Sequence, residues 1–80
     1  METLKELVSR VLEIDKSDIN DNSSPENIKS WDSFKGLLMV SELEKNFNVK
    51  FTIKEVMEVV KFSDICNALK RHGITEGVND

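Results

Sequence analysis

Trp31-Asp32-Ser33-Phe34-Lys35-Gly36-Leu37-Leu38-Met39-Val40-Ser41-Glu42-Leu43-Glu44-Lys45-Asn46-Phe47 reads as one long helix with a hydroxyl at its mouth. Asp32 offers the short acceptor side chain that caps a helix start, and Asn48 tolerates the left-handed conformation that ends one. The spacing therefore predicts a helix over Ser33 to Phe47. Leu37, Val40 and Phe47 make one apolar face, which Leu38 and Met39 widen past a single stripe. A helix apolar on more than one side is central to its fold or exposes a surface for a partner.

Upstream, Thr3 and Glu6 form a capping box ahead of Leu4, Leu7, Val8, Val11 and Leu12, predicting a first helix over Thr3 to Ile14. From Asp15 to Asp32 the chain turns polar, with Ile14, Ile19, Ile28 and Trp31 as the apolar points expected to pin a long loop to the core. Ser24-Pro25-Glu26 can open one helical turn there. Downstream, Thr52-Ile53-Lys54-Glu55 is a second capping box, opening a short helix through about Val60. Ser63 is the expected cap of a last helix that turns Phe62, Ile65, Cys66 and Leu69 inward. Lys70, Arg71 and His72 suit its final turn, with Gly73 as the stop. Residues 75–80 read as a frayed tail. Val49, Phe51 and Ile53 alternate too briefly for a strand.

The sum is an all-α single domain over residues 1–80: a small antiparallel bundle of three main helices, one short helix and a long first loop. Its expected core is Leu4, Leu7, Val8, Val11, Leu37, Val40, Leu43, Phe47, Phe51, Val59, Phe62, Ile65 and Leu69.

Charge and composition exclude several functions. Eleven basic against fifteen acidic residues leave a net charge of −4, which argues against a nucleic-acid binder. One Cys and one His cannot build a zinc centre from the usual ligands, and Cys66 has no disulfide partner within the chain. No run of residues approaches the length of a membrane span, and the start lacks an apolar leader core. These readings predict a soluble, cytoplasmic monomer with Cys66 reduced. Asp18, Asn20 and Asn22 alternate like the first ligands of a calcium loop, but Ser23 and Lys29 stand where that loop needs Gly and Glu. A hydrolase with Ser33 as nucleophile and His72 as base lacks the Gly-x-Ser-x-Gly elbow, and His72 is better read as capping its own helix end.

A serine in the first turn lies near backbone N–H groups that have no intrahelical acceptor, so a phosphate ester on Ser33 would sit in a favourable field. By itself that pattern is commonplace. The flanking order is not: a capped first helix, a long plugged loop, Asp32-Ser33-hydrophobic, Leu43-Glu44-Lys45-Asn46-Phe47, a short third helix and Phe62-Ser63-Asp64-Ile65. From Leu4 to about Leu69 the chain resembles the acyl carrier protein family, including its specialised stand-alone members.

The resemblance implies a 4′-phosphopantetheine arm on Ser33, with Asp32 as cap and recognition residue. A phosphopantetheinyl transferase would install the arm from coenzyme A. The protein would then carry an acyl or aminoacyl group as a thioester to loading and transfer enzymes of fatty-acid, polyketide or other specialised biosynthesis. It would serve as their substrate and shuttle, with no catalytic residue of its own. Cys66, in helical phase with Ile65 and Leu69, reads as a small buried hydrophobe and not as the cargo thiol.

Several positions depart from the fatty-acid branch: Phe34 follows the serine where Leu is usual, Lys35 stands where an acidic or small residue is common, Leu38 takes a position often acidic, and Ile53 and Met57 make the third helix more apolar. Residues 1–32 hold eight acids and four bases, whereas residues 33–80 hold seven of each, so the second helix lacks an acidic face. Phe34, Lys35, Leu38, Ile53 and Met57 therefore either form a surface for dedicated partners or, for the apolar ones, pack on each other and the loop. The rival reading is a carrier-like interaction module that is never modified and acts through helices 2 and 3.

Overall fold

In the computed structural model, which describes residues 2–78, nearly every helix start traces to a named side chain. Helix α1 spans Leu4–Leu12; Thr3 accepts from the N–H of Glu6, and the Glu6 carboxylate accepts from the N–H of Thr3 at 3.0 Å. Glu13, left-handed at φ 58°, ends it short of the predicted Ile14. Helix α2 is Ser33–Phe47, as predicted, with Asp32 Oδ1 accepting from the N–H of Lys35 at 2.8 Å and Asn48 left-handed at φ 55°. Helix α3 is Ile53–Glu58, opened by the Thr52/Glu55 box. Helix α4 is Phe62–Arg71.

The start of α4 corrects the sequence reading. Ser63 lies inside the helix and does not cap it. Asp64 Oδ2 reaches back to accept from the N–H groups of Val60 and Lys61 at 3.0 and 3.1 Å. The next two N–H groups go to the long loop: Phe62 donates to the carbonyl of Ser23 at 2.8 Å and Ser63 to that of Asp21 at 3.2 Å. A helix start needs acceptors from outside itself, and here distant backbone supplies them.

That loop is folded throughout. A short 3₁₀ turn at Lys16–Asp18 is capped by Asp15, a turn not foreseen from sequence. The turn anticipated at Ser24-Pro25-Glu26 forms, with the N–H groups of Asn27 and Ile28 both on the Ser24 carbonyl. Ile19, Ile28 and Trp31 are buried plugs, so burial of apolar side chains repays the ordering of a polar segment.

Helices α1 and α2 run antiparallel, as their ties show. Arg10, near the end of α1's second turn, bridges Glu2 and Glu42 at 2.7 and 2.8 Å, while Lys35 at the start of α2 reaches Glu13 beyond the end of α1 at 3.2 Å. Asn46 clasps the backbone of Glu2 through both its amide N and O. The buried stripe of α2 is Met39, Leu43 and Phe47, packed with all five inward residues of α1 and with Phe62, Ile65 and Leu69 of α4.

Four residues of the expected core, Leu37, Val40, Phe51 and Val59, are not fully buried. Leu37 is 66% exposed, and Met39 takes the buried place it was assigned. Val40, Phe51 and Val59 are half-buried because they border a cavity. The tail also differs: Val78 is buried, and the Gly77 carbonyl accepts from the N–H of Leu4 at 2.7 Å. Residues 75–78 thus dock on α1 because Gly77, at φ 81°, turns Val78 inward; Asn79 and Asp80 lie outside the described residues.

Candidate functional site

Ser33 is the first residue of α2 and is exposed. Asp32 occupies one first-turn N–H, that of Lys35, and α2 carries no acid of its own in its first turn. Asp32 takes up part of the positive field at this helix end, and the remaining first-turn N–H groups and dipole lie beside Ser33, an arrangement that suits a covalently attached phosphate. Behind the serine lies a cavity of about 180 Å³ between α2, α3 and α4, whose wall Ser33 joins. Trp31, Met39 and Leu43 line its inner side, Val56 and Val59 line the α3 side, and Ala68 belongs to α4. The exposed Leu37 stands at its edge. Among the lining residues one is charged, Glu55.

Glu55 was foreseen as a cap, and it is one, but it has a second partner. Its Oε2 lies 2.8 Å from Nε2 of His72, and the His72 ring meets Phe51 edge-on at 5.4 Å between centroids. The Thr52 N–H above all holds the Glu55 carboxyl below the usual range; burial opposes it, and His72 adds to the lowering. Sequence placed His72 at the end of α4, and its backbone N–H does serve the last carbonyls there; its imidazole, however, belongs to α3. No sequence signal links residues seventeen apart on two helices.

The residues singled out for a partner surface separate into two groups. Phe34, Ile53 and Met57 are 70–80% exposed, and Leu38 is 37% exposed, so they do not pack away. Leu37 and Val60 join them, unforeseen, at more than 60% exposure. Lys35 is different, since its ammonium is held by Glu13. The other charges of α2 are also engaged: Glu42 with Arg10 and Lys45, and Glu44 with the N–H of Phe51 at 2.8 Å. What α2 offers beside Ser33 is apolar. Cys66, half-buried against the core, has its thiol pushed up mainly by burial and stands apart from this site.

Among the described residues no group of three or more His, Cys, Asp or Glu is arranged to hold a metal ion, and no helix is long and apolar enough to cross a membrane. The residues at α2 fit a phosphopantetheine: an exposed hydroxyl, a helix start free of first-turn acids and an adjoining apolar hollow. No curated protein matches the chain in sequence. The family model for the phosphopantetheine attachment site matches residues 2–69, which take in α1 to α3, the long loop and most of α4, and the chain belongs to that family of carriers bearing covalent 4′-phosphopantetheine.

Proposed function

We propose that Ser33 Oγ is the attachment point and that the chain is a carrier, not a catalyst, delivering an acyl or aminoacyl group in a specialised biosynthetic route. The observation that carries this reading is the pairing of an exposed first-turn hydroxyl with the wall of an apolar cavity. When bound, the arm supplies a terminal thiol able to hold the cargo as a thioester. The chain's own residues do the rest. Asp32 fixes the turn that presents Ser33, the helix start favours the phosphodiester charge, and the hollow between α2 and α3 offers the cargo shelter from water.

Phe34, Leu38, Ile53 and Met57 form the contact surface for partner enzymes in this reading, with Leu37 and Val60 extending it. Lys35 contributes as a spacer tied to Glu13 more than as a free charge. Support comes from the internal pairing of α2's charges, which leaves apolar contact as the main means of recognition.

Incubation with coenzyme A and a promiscuous phosphopantetheinyl transferase, read by intact mass, tests the attachment. The wild type gains one phosphopantetheine and Ser33→Ala gains none, while its stability stays within about 0.5 kcal/mol because the hydroxyl is exposed. A gain that survives Ser33→Ala refutes this site. A wild type that stays bare favours the unmodified interaction module.

A further inference from the structure

The family match ends at residue 69, yet a residue beyond it touches the cavity wall. Helix α3 has no fully buried side chain in its six residues. Its contribution to the cavity is made by Glu55, Val56 and the following Val59. Two side chains of α4's end reach it: Arg71 lies 3.8 Å from Glu58, with both more than half exposed, and His72 lies 2.8 Å from Glu55. Only the second is short, and there both partners are largely screened from solvent, at 28% and 17% side-chain exposure. The same imidazole also backs Phe51, which lines the cavity just before α3.

We propose that His72 is a positioning residue for the cavity: through Glu55 and Phe51 it fixes the α3 wall and so sets how apolar cargo is held in this chain. The inference uses the carrier reading only for the identity of the guest, since the wall is a property of the protein without its arm. An apolar cavity of roughly 150 Å³ can hold one benzene, so the hollow here matches a guest of about six carbons. Helix α3 itself buries no side chain and is held at its ends by Phe51 and Val59, which are only partly buried against the core, so the hydrogen bond from His72 is a substantial added hold on its middle.

The test uses the unmodified full chain with 1-hexanol as probe and the emission of Trp31, which lines the cavity, as readout. The wild type responds saturably. His72→Leu, which keeps apolar bulk against Phe51 but removes the donor, weakens the apparent affinity roughly three- to tenfold, about the effect of one net hydrogen bond. His72→Gln, which can still donate to Glu55, restores most of it. Glu55→Ala also removes the acceptor of the Thr52 N–H, so it weakens binding further than His72→Leu does, but once Glu55 is Ala the added His72→Leu change costs little, because the contact they share is already gone. Helical circular dichroism shows that each variant is folded. Equal binding by wild type and His72→Leu overturns the proposal, as does failure of His72→Gln to restore it or a wild type without a saturable response. None of these outcomes depends on whether Ser33 accepts the arm, which the mass measurement decides separately.

Discussion

Helices α1 and α3 begin with the same device and end with different fates. Thr3/Glu6 and Thr52/Glu55 are both reciprocal capping boxes with closely similar hydrogen bonds. Yet α1 buries Leu4, Leu7, Val8, Val11 and Leu12 in nine residues, while α3 buries no side chain in six and leaves Ile53 and Met57 outside. A cap decides where a helix starts; packing of an apolar face decides how firmly it is held.

The largest expected effect comes from attacking the packing itself. Leu7→Ala removes a side chain that is 0% exposed and costs about 2–5 kcal/mol, whereas Met57→Ala, at 77% exposure, costs about 0.5 kcal/mol or less. Chemical denaturation of the two variants measures the gap, and equal losses would erase the distinction between the helices. Removing the caps gives a smaller effect that sharpens the contrast. Thr3→Ala lowers global stability by about 1 kcal/mol. Thr52→Ala leaves the global transition almost unmoved and instead speeds amide exchange at Val56 and Val59, whose N–H groups lie within and just after α3.

Acid gives the smallest and most local effect. Glu6 is held below the usual range by hydrogen bonds from Thr3, and Glu55 by those from Thr52 and His72. A carboxyl with a lowered folded value stabilises the fold fully above its ordinary value, and that contribution is lost as pH falls through the lower one. Below about pH 4 both boxes therefore weaken. The α1 amides stay protected because packing remains, while those of α3 open first. Amide shifts followed during an acid titration report the order, and simultaneous loss would contradict it.

Much of this was legible in the residues because it is local. Asp32 and Asn48 bracket α2 correctly, and both Thr-x-x-Glu boxes fold as boxes. Ile19, Ile28 and Trp31 could be recognised as plugs because isolated apolar residues in a polar loop have few other uses. Two misses are local, the Asp15-capped turn at Lys16–Asp18 and the end of α1 at Glu13; the rest are tertiary. Leu37 lies close in angle to Val40 on the helical wheel, and nothing in that spacing shows that the surface it faces is a cavity edge and not a filled core. Ser63 looked like a cap because the true acceptors, the carbonyls of Asp21 and Ser23, carry no side-chain signature. Val78 resembled a loose end because its burial needs a turn at Gly77 and a waiting N–H on Leu4. Within the site, Ser33 and Asp32 stood out at once, but the Glu55–His72 contact joins separate helices and leaves no periodic trace.

The loop carbonyls that complete α4 also tie the start of that helix to a distant segment. Its first turn is completed by Asp21 and Ser23, a contact spanning about half the chain. Lengthening the chain between Ser23 and Ser33 would make that closure costlier, because wider loops must surrender more freedom before their ends meet. The segment is thus part of α4's beginning as well as a connection between two other helices.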